Sequence, residues 1–417
     1  MPGLSQFLPL LTAAGILLAG NGMLGTLMTL RAAEEGFSNS TIGFMGAAYF
    51  AGYLFGCAIS PRMVQAVGHI RVFAALAAST AAVTLLLALV VHPIFWIFVR
   101  FAAGFCFSGL FTTVESWINA GLDNKHRAQT ISVYRLIDLL AVTGSQYLLL
   151  PFSIRGHEVF SIAAILFCLS LVPIALSSRS RPKAPASFSF DLKSVWRLSP
   201  LAAMGCVAIG LTNSAFRLVG PIYGREMGLD VAGVANFISA GIFGGAVLQF
   251  PFGILSDRWG RRATVIAATG GAVVAGLVLS SFAERGDPWL LYAGSFAFGA
   301  FAMPLYSLSA AHANDMADEG QYVLVAAGLL FFYSIGAICG PFLAATVIGH
   351  YGAPAFFVYT SVVHFALIVI AIVRIAQRPA VPGPAPGRFV ALLRTSPVIF
   401  RLMRRQRDHG DDVHGER

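Results

Sequence analysis

Ser178-Arg179-Ser180-Arg181-Pro182-Lys183-Ala184-Pro185-Ala186-Ser187, running on as FSFDLKSVWRL to Leu198, is the one long polar stretch inside a chain of 417 residues. On either side the sequence falls into apolar runs, and a helix needs about 20 such residues to cross a bilayer. Six runs precede the stretch, near 7–30, 41–60, 72–92, 94–120, 128–152 and 158–177. Six follow it, near 199–224, 233–254, 263–283, 289–314, 321–346 and 354–376. Residues 178–198 therefore read as a linker between two six-helix halves, 1–177 and 199–376, with 377–417 as a basic tail. The predicted class is an all-α membrane protein of twelve spans.

Composition requires the same solvent. Charged residues make up 11% of the chain and hydrophobic ones 57%, with a mean hydropathy of +0.75. A soluble protein carries roughly 25% charge, so this surface faces lipid. Forty-three glycines suit helices that approach closely in a membrane. The net charge of +9 does not imply nucleic acid, because the basic residues lie between apolar runs and in the tail, where anionic lipid accounts for them. All five cysteines (Cys57, Cys106, Cys168, Cys206, Cys339) fall within apolar runs, without metal-ligand or disulfide spacing. No basic leader with a small-residue cleavage site precedes the first run, which reads as a retained helix.

Basic residues also set a direction. With the N-terminus in the cytoplasm, the inner loops carry Arg62, Arg71, Lys125, Arg127, Arg179, Arg181, Lys183, Lys193, Arg197, Arg258, Arg261 and Arg262, and the tail adds nine arginines from Arg374 onward. The outer loops hold only Arg31, Arg155, Arg225 and Arg285. Twenty-one against four places both termini inside. In the tail, Phe389, Leu392, Leu393, Ile399, Phe400, Leu402 and Met403 interleave with arginines, the pattern of a segment lying on the inner leaflet; a disordered basic tail is the alternative.

The halves resemble each other. Gly104 and Asn119 of span four match Gly299 and Asn314 of span ten at a shift of 195, and Gly144 falls opposite Gly340 at 196. The loop PRMVQAVGHIR after span two matches GILSDRWGRR after span eight at 192. Repeats of this kind are common in transporters. The second loop, Gly253-Ile-Leu-Ser-Asp257-Arg258-Trp-Gly260-Arg261-Arg262, resembles the G-x-L-x-D-R-x-G-R-[RK] signature of the major facilitator superfamily. The first copy departs from it, with Pro61 and Gln65 where Gly and Asp would stand. Arg100-Phe-Ala-Ala-Gly104 is similar to the family's R-x-x-Q-G motif, with Ala103 replacing Gln. Glu115-Ser-Trp-Ile-Asn119, with Gly336, Gly340 and Pro341, looks like the YcaD-like bacterial permeases. The resemblance implies two pseudo-symmetric bundles in a bacterial inner membrane, a loop that clamps the halves in one conformational state, and spans three, six, nine and twelve lying away from the pathway. It implies no cofactor.

Charges inside spans cost roughly 2.5–3.5 kcal/mol each at mid-helix and mark function. Arg100 and Glu115 lie in span four, Arg135 and Asp138 in span five and Arg217 in span seven. Spans three and nine are free of charge, and spans six and twelve carry it only at an end, at Glu158 and Arg374; inside span twelve lies His364, to which a lipid-facing or neighbour-packed position without a role is assigned. Arg135 and Asp138 share a helix face, and Gln146 falls close to it. Gly104, Ser108, Thr112, Glu115 and Asn119 form one stripe on span four. The spacing predicts a Glu115–Arg135–Asp138 cluster, read either as a lock between spans four and five or as a proton-responsive site. Arg217, a turn after Asn213, reads as an anion contact, with Arg135 or Arg100 opposite, or as a snorkelling side chain. Asn21, Asn236, Gln249, Tyr306 and Tyr333 are further polar candidates. His312, Asn314 and Asp315 suit capping better than metal binding.

These features predict a monomeric secondary transporter of a small organic solute, anionic by the balance of three arginines against two acids, coupled to protons or another ion. Export of amphipathic compounds is the alternative within transport; a membrane-embedded enzyme or a receptor without flux are the other classes. An enzyme would need a catalytic constellation in loops long enough to hold it, and these loops are short. Topology is checked by reporter fusions: positions 155, 285 and 350 are expected to read as external and positions 125, 190 and 400 as internal, and a consistent reversal would refute the orientation.

Overall fold

The computed structural model describes residues 7–120, 124–176, 191–281, 287–317 and 321–377. The linker before Asp191 and the tail after Gln377 lie outside the described residues, as does the side chain of Asn119.

Among the described residues the chain forms twelve long helical segments. Spans one to five are Leu8–Glu34, Asn39–Val67, His69–Leu89, Pro93–Ala120 and Asn124–Ser145, and span six is Glu158–Leu169 continued by Leu171–Ala175. Span seven is Pro200–Leu218 followed by Gly220–Glu226. Spans eight and nine are Val231–Trp259 and Arg261–Ser281; span ten is Pro288–Ala302 with Leu305–Asn314; spans eleven and twelve are Tyr322–Tyr351 and Ala355–Gln377. Eleven of these are long and apolar enough to cross a bilayer. Span five falls short because its 22 residues carry Lys125, His126, Arg127, Arg135 and Asp138.

Span two was expected to end near residue 60 but continues to Val67 with Pro61 inside it, and span eight continues past 254 to Trp259. Both therefore carry their loop motif on helix and turn only at its glycine. Gly68 and Gly260 have φ of +85° and +88°, a left-handed conformation that a side chain disfavours. Gly36 and Gly228, which follow spans one and seven, repeat the device at the same offset of 192.

Contact clustering gives two compact units: Met1–Ser187 with Phe216–Ser239 and Pro341–Gly349, and Phe188–Ala215 with Ala240–Gly340 and His350–Arg417. In the first unit, spans two and four cross backbone to backbone. A Cβ at Gly52 would collide with the Phe101 carbonyl, and one at Gly104 with the Tyr49 carbonyl. In the second unit, spans eight and ten repeat the crossing, with Gly244 against the Phe296 carbonyl and Gly299 against that of Gly241. Spans seven and eleven cross similarly, through Gly210 on the Tyr333 carbonyl and Gly336 on that of Val207.

Ahead of span seven a short helix, Leu192–Leu198, is capped by Asp191, whose side chain accepts from the Ser194 amide at 3.0 Å and hydroxyl at 2.6 Å. These bonds hold the Asp191 carboxyl below the ordinary aspartate range. Val195 buries against Gly328, and the Trp196 ring lies 6.1 Å from that of Phe332.

Adding a methyl at a backbone crossing has no room to relax into. Gly104→Ala and Gly299→Ala should each cost about 1–3 kcal/mol, the range for overpacking. Gly270→Ala, where nothing lies within 4 Å, should be silent. Thermal unfolding in detergent ranks the three, and equal melting temperatures would refute the account.

Candidate functional site

Span four carries two buried ions of opposite sign, and near the first of them it packs closely against span two. Arg100 is 3% exposed, with its guanidinium carbon 4.4 Å from the centroid of the Tyr49 ring. The Tyr49 hydroxyl donates to Asn21 Oδ1 at 3.3 Å, so spans one, two and four meet at this point. Phe107 and Tyr53 lie 6.3 and 6.5 Å from the Tyr49 ring, and Phe111 lies 6.4 Å from Tyr53. Four turns along, Glu115 is also 3% exposed. On span five, Arg135 is half-buried and its Nε makes no hydrogen bond among the described residues. Asp138 is buried one turn beyond Arg135 and is engaged. Both acids of the cluster predicted from sequence are thus buried on adjacent spans.

Gln146 caps the polar face of span five. Its Nε2 donates to the Gly22 carbonyl at 3.0 Å, and its Oε1 accepts from Thr26 at 2.6 Å, which fastens span one to span five. The next residue, Tyr147, donates to Asn236 Oδ1 at 2.9 Å. Thr29 donates to the Leu218 carbonyl at 2.7 Å, one residue after Arg217. Arg217 itself is half-buried and engaged.

At the loop end of span one, Glu34 receives two arginines at once. Arg155 approaches Oε2 at 2.9 Å, and Arg225 approaches Oε1 at 2.6 Å. Arg31 pairs with Glu35 at 2.6 Å and donates to the Ile154 carbonyl at 3.0 Å. Sequence reading took these arginines only as sparse loop charges. The adjacent Glu34-Glu35 pair was the available signal that they had partners.

In the second unit, Asn213 Nδ2 donates to the Tyr333 hydroxyl at 3.3 Å, and the Tyr306 and Tyr333 rings meet edge to face at 5.7 Å. Gln249 donates to Ser307 Oγ at 2.6 Å. The polar candidates here are thus neutral. Charge is concentrated instead at the loop motif, where Arg261, 6% exposed, reaches Asp315 Oδ2 at 2.8 Å through Nε. Its Nη1 reaches Asp257 at 2.6 Å and Ser256 at 3.0 Å. Spans eight, nine and ten are tied by one fork of donors. Gly260 makes the turn, Gly253 is buried, and Arg258 is exposed while Arg262 is half-buried. Asp315 thereby takes a structural partner, consistent with the loop use expected of the His312–Asn314–Asp315 group. His364 does not face lipid: it is fully buried against Phe298, ring centroids 6.1 Å apart.

At position 69, which corresponds to Arg261 at the shift of 192, the first half has a histidine. His69 Nε2 lies 2.6 Å from Ser116 Oγ, and its ring lies 5.8 Å from Trp117. Sequence reading overlooked this contact, although the alignment of the two loops already set His69 against Arg261.

The architecture and the loop together define a two-bundle transporter class, and comparison with known proteins gives it a name. The family model for the Major Facilitator Superfamily matches residues 10–245 and 202–407. The chain belongs to that superfamily and is a multi-pass membrane transporter rather than an enzyme. It is 24% identical over 365 residues to the uncharacterized MFS-type transporter YcaD of Escherichia fergusonii, covering 87% of this chain and 94% of the relative. It is 25% identical over 372 residues to an MFS-type transporter of Yersinia pseudotuberculosis, covering 87% and 94%. Among solved structures, the nucleoside transporter NupG superposes with a TM-score of 0.75 at 14% identity, over 88% of this chain and 98% of that one. A bacterial homologue of the human lysosomal transporter Spinster gives 0.69 at 14%, over 90% and 96%.

The Arg261 fork carries a stability prediction. A lysine offers a single ammonium and cannot reach both carboxylates in that geometry. Arg261→Lys should therefore lose about 2 kcal/mol, the scale of a hydrogen bond to a charged group. Asp315→Asn should cost less, since the amide oxygen still accepts. Thermal unfolding of the purified protein compares them, and a lysine variant as stable as wild type would show the fork to be dispensable.

Proposed function

We propose that the protein is a proton-coupled secondary transporter of a small organic anion, in which Glu115, Arg135 and Asp138 form the coupling site. The observation that carries this reading is the burial of both acids, 3% and 8% exposed, on the adjacent spans four and five. Ionisable groups at membrane depth are costly, and in transporters they serve proton relays and substrate contacts. A carboxylate buried beside a fixed cation has two states of comparable energy, protonated and ion-paired, and exchange between them is what coupling to a proton gradient requires. In this reading the protein resides in a bacterial inner membrane with both termini in the cytoplasm, acts as a monomer, and alternates the exposure of its solute site. The solute anion is met by span arginines, while the neutral Asn213–Tyr333–Tyr306 group supplies hydrogen bonding without charge.

The test uses variants that keep size and remove ionisation. Glu115→Gln and Asp138→Asn should insert and fold, retain downhill exchange of solute in proteoliposomes, and lose accumulation driven by a pH gradient by at least tenfold. Full gradient-driven accumulation in both variants would make the cluster a structural lock.

A further inference from the structure

We infer that Arg100, presented by Tyr49 and Asn21, is the subsite for the carboxylate of a small organic monoanion; this rests on the transporter reading above and names the chemistry of its solute. The three arginines within spans stand in different circumstances. Arg135 is only half-buried, and Arg217 is half-buried and engaged by other groups of the protein. Arg100 is as deeply buried as Glu115, at 3% exposure, yet forms no ion pair among the described residues. The Tyr49 ring lies 4.4 Å from its guanidinium carbon.

A guanidinium has five N–H donors in a planar fork. A ring against its face stabilises the charge but accepts none of those hydrogen bonds. A guanidinium held this far from bulk water with no opposite charge in contact is a costly arrangement. An oxyanion relieves the charge and the donors together, and a carboxylate matches the fork in two parallel bonds. With no second basic side chain in contact, the site balances one negative charge. That favours a carboxylate over a doubly charged phosphate.

The surroundings describe the rest of the ligand. Tyr49 is fixed at its hydroxyl by Asn21, 3.3 Å away, so the ring that supports the guanidinium is itself held. From Tyr49 the aromatic series continues through Tyr53 to Phe111, and Tyr53 is only half-buried. An apolar or aromatic body attached to the carboxylate would lie along these rings. Benzoate has this chemistry in its simplest form.

The experiment reads thermal unfolding of the full chain in detergent, without a gradient, at constant ionic strength. Benzoate should raise the wild-type melting temperature by several degrees, whereas inorganic phosphate and benzylamine should not. The benzoate shift should be abolished in Arg100→Gln, at least halved in Arg100→Lys and in Tyr49→Leu, and unchanged in Arg62→Gln, an exposed arginine in the last turns of span two. Without ligand, Arg100→Gln should melt at or above wild type, because an unpaired buried charge has been removed. The assignment is overturned by the absence of a benzoate shift in wild type, by its survival in Arg100→Gln, or by an equal shift from phosphate. It is also overturned if Arg100→Gln is several degrees less stable without ligand, which would make the arginine structural, or if phosphatidylglycerol alone reproduces the shift, which would give the cation to lipid. Binding measured without a gradient can fail while gradient coupling through Glu115 and Asp138 stands, and the reverse, so the two readings are separable.

Discussion

Backbone touching backbone at glycine is the contact on which this structure depends. Lipid tails are as apolar as leucine, so helices in a bilayer gain nothing by hiding apolar surface from one another. What remains is close packing, and a side chain at the crossing point would prevent it. Spans two and four meet at Gly52 and Gly104, and spans eight and ten meet at Gly244 and Gly299. The four positions correspond under the internal repeat at shifts of 192 and 195. Each half has therefore kept the same close crossing while the residues around it diverged. Arg100 is held at depth beside the first crossing, next to the Phe101 carbonyl that Gly52 approaches, and Tyr49 supplies both a carbonyl to Gly104 and a ring to Arg100.

The halves divide the polar work unequally. Positions equivalent to Glu115, Arg135 and Asp138 under the repeat are Ala310, Phe331 and Ser334, so no second ionic cluster exists at those places. The second half offers hydroxyls, amides and the Tyr306–Tyr333 edge contact. Since each uncompensated charge at membrane depth costs several kilocalories per mole, concentrating ions in one bundle keeps them where they can compensate each other. The same economy explains span five, which is too polar to register as a membrane helix by hydropathy yet is helical from Asn124 to Ser145. The Gln146 bonds to Thr26 and to the Gly22 carbonyl fasten the end of this polar helix to span one.

Most of the fold was legible in the sequence because the lipid solvent imposes a long, uniform signal. Runs of twenty apolar residues, a single polar linker and a lopsided arginine count need no knowledge of tertiary contact. The burial of Glu115 and Asp138 was legible for a related reason, since both fall inside long apolar runs. Contacts between non-adjacent spans were not. The ring of Tyr49 over Arg100 joins spans two and four, and nothing local to either distinguishes that tyrosine from Tyr53. The helix ends were misjudged for a local reason: proline at 61 reads as a breaker, but the turn is made at Gly68, where φ is +85°. For His364 the sequence left a lipid-facing and a neighbour-packed position open, and the structure has the second, on Phe298.

The two loops that follow spans two and eight show how one device can be kept by different forces. In the second half Arg261 is buried among Asp257, Asp315 and Ser256, an ionic fork that closes three helix ends. In the first half the equivalent residue is His69, which meets Ser116 by a hydrogen bond and Trp117 by a ring contact, and Gln65 stands for the aspartate. The ionic version is directional and strong at its buried end, while Asp257 is partly open to solvent, so salt screens part of it. Ser116 and Trp117 immediately follow Glu115, so the first loop is fastened to the same turn of span four that bears the buried acid. The second loop, with Ala310 at the place equivalent to Glu115, has no such neighbour.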